Sequence, residues 1–330
     1  MSVTITGRTG EPVMRGRSPA RRPARRRAAA VLAAVAVAAL TPGSVRATAT
    51  SPAAPEVRDG VGTPAVPFWS DEFTGRAGAR PDASVWTSEV GNRRQEGWWN
   101  NELQYYTARP ANSALNGSGA LVIRARRADR RSHLPCWPRG RCDYTSARLT
   151  TEGTASLTHG RIDVRATIPT GKGLLPAIWM LGNNGRVWPR QGEIDIVEVV
   201  GGEPRTAYGT AHGPGYSNED GLGGTADLGA RASRSFHVYS VVKERHRITW
   251  LVDDEPYFTL TPQDLPSPQR WVFEQDMHVL LNVAVGGDWP GRPGPSTRFP
   301  ATMRIDYVRM YGTGVVDGVA VSSPRSPLAG

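Results

Sequence analysis

Three acids inside one short apolar run are the residues of this sequence best suited to chemistry. The segment Trp188-Pro189-Arg190-Gln191-Gly192-Glu193-Ile194-Asp195-Ile196-Val197-Glu198 sets Glu193, Asp195 and Glu198 among isoleucine and valine, the composition of a buried strand. Ionised carboxylates are costly in such a setting, so three of them imply a solvated cleft or a task. Side chains alternate faces along a strand, which puts Glu193, Asp195 and Val197 on one side and turns Glu198 toward the core. One extra residue, a β-bulge between Asp195 and Glu198, restores Glu198 to the face of Glu193. The two glutamates then share a groove. A carboxyl separation of about 5–5.5 Å suits a retaining glycosidase, where one carboxylate attacks the anomeric carbon and the other donates a proton. Asp195 would hydrogen-bond Glu193, and its charge would help Glu198 stay protonated. Two other readings stay open. The acids could be the solvated face of an exposed strand, which fits Glu193 and Asp195 but not Glu198, or they could ligate a hard cation such as calcium.

The elements that must hold these acids are strands. Short alternating runs recur from Phe68 onward: Ala120 to Ala125, Gly160 to Ile168, Glu193 to Val200, His237 to Lys243, Ile248 to Val252, His278 to Val285 and Met303 to Tyr311. Alternation over five to eight residues marks half-buried strands, and no stretch keeps a helical stripe for twelve residues. With 37 Gly and 27 Pro to make turns, the expectation is an all-β fold, a sandwich or jelly roll of two antiparallel sheets. No internal repeat is visible. One catalytic domain is expected over 67–312.

The ends read differently. Residues 1–47 carry nine arginines against the single acid Glu11, so the formal charge of +10 leaves only +2 for the rest of the chain. Without a basic, aromatic-interleaved face, nucleic acid is excluded as a partner. The Arg-rich start, the apolar run Ala28 to Leu40 and the small residues near Ala47 and Ala49 have the layout of a signal peptide. The run is shorter than the ~20 residues of a membrane span. A secreted, extracellular protein with no membrane attachment after processing is therefore expected, acting as a monomer. Residues 48–66 read as a flexible linker and 313–330 as a disordered tail. Cys136 and Cys142, the only cysteines, read as one disulfide in an exported protein and are too few for a metal site.

The string GEIDIVE after Trp-Pro resembles the active-site signature of glycoside hydrolase family 16, and its Glu-x-Asp-x-x-Glu form resembles the laminarinase branch. Further resemblances follow in order along 68–311: Trp99 to Thr107 (WNNELQYYT), Gly173 to Leu181 (GLLPAIWML), Gly209 to Ser217 (GTAHGPGYS), Asn282 to Gly291 (NVAVGGDWPG) and Ile305 to Tyr311 (IDYVRMY). The resemblance implies a jelly roll with a long open cleft and endo-acting hydrolysis of β-1,3-glucan, with β-glucan polysaccharide as the partner and no catalytic cofactor. It makes Glu193 the nucleophile, Asp195 its assistant and Glu198 the acid/base. It sets Trp179 and Trp188 in or beside the cleft as sugar platforms, though Trp179 could equally be core, brings His212 toward the acids, and puts Asn101 and Trp289 in loops on the glycone side. It also implies a possible structural calcium at Glu72, the Gly119 backbone and Asp306, where ordinary surface charge competes as a reading.

This chain departs from the pattern at Leu175 and Lys243, where relatives usually carry Trp, and at Asp276-Met277, where Pro-Phe is frequent. None of these touches the three acids, so they bear on subsite affinity and substrate range. Mixed-linkage β-1,3-1,4-glucan is the alternative substrate. A non-catalytic β-glucan-binding protein is the alternative of another class, and such relatives are expected to lose one of the acids.

Overall fold

The computed structural model describes residues 66–324, and the expected signal peptide and nearly all of the expected linker lie outside them. Eighteen strands and three short 3-10 turns make up the regular structure of these residues. In the layer that carries the acids, Glu193–Glu198 pairs antiparallel with Leu174–Gly182 on one side and Thr206–His212 on the other. The layer continues through Met277–Val285, Arg148–Thr150 and Thr87–Glu89 in one direction and Leu222–Asp227 in the other. The opposite layer is built on Ala155–Thr167, flanked by Ala301–Val316 and His237–Glu244, and extends to Arg247–Val252 and Glu255–Leu260. The expected sandwich of antiparallel sheets is present. One exception is the parallel pair Gln104–Tyr106 and Tyr144–Ser146.

Alternation explains the stacking. Ile178, Met180, Ile194, Ala211, Val279 and Leu281 from one layer meet Ile162, Val164, Val241, Ile248, Val308 and Met310 from the other in a single buried cluster, and removing this apolar surface from water is the main force joining the layers. Among the residues of opposite parity in the acid-bearing layer, Trp179, Leu181 and Tyr208 are only half-buried and line its outer face.

The tail expected from Thr313 is instead regular structure as far as Ser322. The Ala301–Val316 strand runs on past that point, turns, and pairs with Val319–Ser322. Asp317 and Gly318 both have positive φ, 49° and 78°, the backbone that a two-residue hairpin turn requires and that Asp-Gly readily supplies. Residues 325–330 are outside the described part.

Candidate active site

The bulge anticipated from parity is in place. Glu193 lies opposite His212 and Leu181, and Asp195 opposite Thr210 and Trp179; the register then breaks, so that Glu198 lies opposite Tyr208 and Ala177. Three steps along the acid-bearing strand match two on each neighbour. Ile196 and Val197 both turn into the core, whereas a regular pleat would have sent Val197 to the face of the acids. Glu193 and Glu198 remain half-buried on the open face, with Asp195 between them and buried.

Each acid has a different environment. Glu193 Oε2 accepts from the Trp188 indole Nε1 at 2.6 Å. Asp195 Oδ2 lies 3.1 Å from His212 Nε2. Glu198 receives no hydrogen bond among the described residues; burial first, then the charges of Asp195 and Glu193, push its pKa well above the usual carboxylate value, and His212 offsets this only in part. Burial and the Asp195 charge also raise Glu193, with His212 and the Trp188 N–H pulling it back. Burial raises Asp195, opposed by its hydrogen bond with Glu193. Three carboxyls this close cannot all ionise. The indole N–H favours a charged Glu193, while Glu198, with no hydrogen bond among the described residues and only His212 in favour of its charge, is the place for the proton.

Glu193, Asp195 and His212 bring their donor atoms within 4.8 Å of one another, the only such cluster among the described residues. An imidazole is a poor ligand for a hard cation, which selects oxygen, so the cluster does not favour the calcium reading of these acids. At the other site considered for calcium, Arg309 holds both oxygens of the Glu72 carboxylate at 2.8 and 2.9 Å, and Arg165 holds Asp306 at 2.5 Å. Gly119 does lie beside the Glu72 carbonyl, which a Cβ there would meet at 3.8 Å. With both carboxylates already neutralised by guanidinium groups, these side chains do not fit a cation cage.

The aromatic residues divide. Trp188 and Trp289 are 40% and 48% exposed; Trp188 lies over the Glu193 end, 6.4 Å from the His212 ring, and Trp289 stands edge-on to Tyr208 at 4.9 Å, at the Glu198 end. Asn101 donates to Asp288 at 2.9 Å and so ties its loop to the one bearing Trp289. Trp179 is half-buried, donates to Asn282 at 2.7 Å and carries the Arg148 guanidinium 4.6 Å over its ring. It is a wall whose face is partly taken, neither bare platform nor core. Leu175 packs with Val200, Ala284 and Tyr208 in a small separate cluster, leaving an aliphatic patch in place of an indole.

Sequence reading missed several residues that shape the site. Arg148 is held between Trp98 and Trp179, each ring centre 4.6 Å away, and paired with Glu89; nothing in Ser-Ala-Arg-Leu marks it. Gln275 spans the neck of the loop that presents Trp188, donating to the Gln191 carbonyl at 2.5 Å and accepting from Asn184 at 3.0 Å. Beneath it the fully buried Lys243 donates to the carbonyls of Gln275, at 2.8 Å, and Thr158. Asp276 takes Asn183 at 2.6 Å and Ser156 at 3.1 Å. Two of the positions where this chain departs from the family pattern, Lys243 and Asp276, thus belong to one polar brace, while Leu175 and Met277 are packed among apolar residues. Next to this brace, a cavity of about 540 Å³ opens between Leu181, Asn183, Arg186, Asp276 and His278.

Comparison with known proteins agrees with the geometry. The model of glycosyl hydrolases family 16 matches residues 100–309. The chain belongs to this family. It is 41% identical over 253 residues to a β-glucanase of Rhodothermus marinus, covering 74% of this chain and 84% of that one. Among solved structures, the laminarinase catalytic domain of Thermotoga maritima is 43% identical with a TM-score of 0.66, covering 74% of this chain and 96% of that one. A non-specific endo-β-1,3(4)-glucanase of family GH16, solved with 1,3-β-D-cellobiosyl-glucose at its active site, is 36% identical with a TM-score of 0.66, over 75% of this chain and 95% of that one. As a family 16 member the chain is a glycoside hydrolase with a jelly-roll fold. The disulfide expected from the sequence joins Cys136 to Cys142, and Arg93 holds its loop through the carbonyls of Cys136 and Gly140 at 3.0 and 2.8 Å.

Proposed function

We propose that this family 16 enzyme is an endo-acting, retaining hydrolase of β-1,3-glucan working by double displacement, with Glu193 as nucleophile, Asp195 as its assistant and Glu198 as acid/base. The observation that carries the reading is the register break that sets Glu198 on the face of Glu193. In the first step a Glu193 oxygen attacks the anomeric carbon while Glu198 gives its proton to the leaving glycosidic oxygen, so the glucan chain breaks and a glycosyl ester forms on Glu193. Glu198, now ionised, takes a proton from water, the hydroxide oxygen attacks the anomeric carbon, and Glu193 leaves as a carboxylate. Asp195 and the Trp188 N–H hold Glu193 in place, and Trp188 and Trp289 offer flat apolar faces to sugar rings.

Glu193→Gln should abolish turnover while leaving glucan binding intact, because the groove survives without its nucleophile. Glu198→Gln should lose laminarin hydrolysis yet keep much of its rate on aryl glycosides, whose leaving groups need little protonation. Wild-type rates on laminarin for either variant would refute the roles. Likeness to a non-specific β-1,3(4)-glucanase and the aliphatic patch at Leu175 support a second reading, cleavage of mixed-linkage β-1,3-1,4-glucan. Product analysis on laminarin, curdlan and lichenan separates the two. Export with loss of the signal peptide, and action as a monomer, belong to the same proposal.

A further inference from the structure

A bulge solves the parity problem and creates another, since the ladder is broken where the extra residue enters. At that break the backbone carbonyl of Asp195 accepts a hydrogen bond from the Trp250 indole Nε1 at 2.8 Å. Trp250 belongs to the opposite layer, on Arg247–Val252, and is fully buried. Its own strand also shifts register between Trp250 and Leu251, and its ring packs against Phe258 at 5.1 Å. Room for the indole comes from the strand beside the acids: a Cβ on Gly209 would stand 2.5 Å from Trp250 Cδ1 and 2.3 Å from the Tyr257 hydroxyl, closer than any side chain tolerates. A carbonyl in the core needs a donor, and an indole N–H can only donate. The pair is therefore matched in a place where either group alone would be costly.

We propose that Trp250 is a positioning residue: its indole N–H fixes the Asp195 carbonyl at the register break and thereby holds the bulge that keeps Glu198 on the face of Glu193. Gly209 takes part by leaving the indole its space. Trp250 touches no reacting atom. It acts through the backbone of the acid-bearing strand, and the proposal rests on the reading of Glu198 as acid/base.

The test compares two substrates. Trp250→Phe keeps an aromatic ring and removes the donor, so Glu198 should lose its set position while Glu193, anchored by Trp188, keeps its own. On laminarin, kcat should fall about tenfold or more with KM within about twofold, the pattern of an interaction made in the transition state. On dinitrophenyl β-laminaribioside, whose leaving group needs no proton, the glycosylation rate should stay within about twofold of wild type. Gly209→Ala made in a Tyr257→Phe background, where the added methyl crowds the indole and no hydroxyl, should give the same split relative to Tyr257→Phe alone and guards against a folding failure of the first variant. Deleting Val197 removes the bulge; in that background Trp250→Phe should cost no further activity. Equal losses on both substrates, or unchanged kcat on laminarin, would overturn the proposal by leaving Trp250 a packing residue. Glu198→Gln run alongside distinguishes the two levels: if it shows no dependence on the leaving group, the reading of Glu198 fails, whatever Trp250 does.

Discussion

Glu193 and Glu198 are five residues apart, share a face and differ mainly in what reaches their oxygens. The Trp188 N–H at 2.6 Å favours the ionised form of Glu193, while Glu198 has burial and two neighbouring acids against it. The difference predicts a specific effect of Trp188→Phe. Loss of a hydrogen bond to a charged group raises the Glu193 pKa, so the acidic limb of kcat/KM should move to higher pH, by about one unit if the bond contributes ~1.5 kcal/mol. A pH–rate profile on laminarin checks this, and an unmoved acidic limb would mean that the indole does not stabilise the nucleophile. At this scale the sequence was most legible. Three acids among β-branched residues announce a cost that only function explains, and parity alone calls for the bulge. Arg148 and Trp250 were invisible because their contacts come from partners far along the chain: Trp250 meets Asp195 across 55 residues, and no local pattern encodes that.

The loop from Asn183 to Gln191 shows how an element, rather than a residue, sets the site. It leaves one strand at Gly182 and re-enters the next at Gly192, whose carbonyl accepts from the Gly182 N–H at 3.1 Å. Gln275 bridges both sides of the neck, and Lys243 supports Gln275 from below. Burial pulls the Lys243 pKa down from its ordinary value to about 8. Between that value and the unfolded value near 10.5, the unfolded chain binds the proton that the folded chain has released. Stability relative to a Lys243→Met variant should therefore rise as pH goes from 8 to 10, and sit at its lowest below pH 8, where the buried ammonium is charged. Chemical denaturation of both proteins across that range measures the difference; a gap that is flat or shrinks with pH would remove the buried charge from the account. Strand positions were legible from alternation, because each strand has one face in the core. The brace was not, since Lys243 and Asp276 register in the sequence only as departures from a pattern, and their partners lie on other strands. The hairpin after Thr313 was missed for a related reason: its residues are small and its strand short, and only the Asp317-Gly318 turn marks it.

For the whole molecule, the proposal of export bears on charge. Nearly all the excess positive charge lies in residues 1–47, so a mature domain starting near Thr48 or Thr50 would be close to neutral and free of the feature that suggests nucleic acid. Intact-mass measurement on the exported protein should find that start and one disulfide between Cys136 and Cys142; a retained N-terminus would refute the export half. The disulfide closes a loop of sequence separation 6, so reducing it should cost roughly 2 kcal/mol by the chain-entropy estimate, measurable as a lowered denaturation midpoint. The account as a whole turns on one claim, that the bulge presents two glutamates to opposite roles on the same sugar with no room for a water between nucleophile and anomeric carbon. Proton NMR of the first product released from a β-glucan tests it most directly. The β-anomer appearing first, with the α-anomer growing in only by mutarotation, is the predicted result; an initial α-anomer would mean inversion and contradict the roles of Glu193 and Glu198 together.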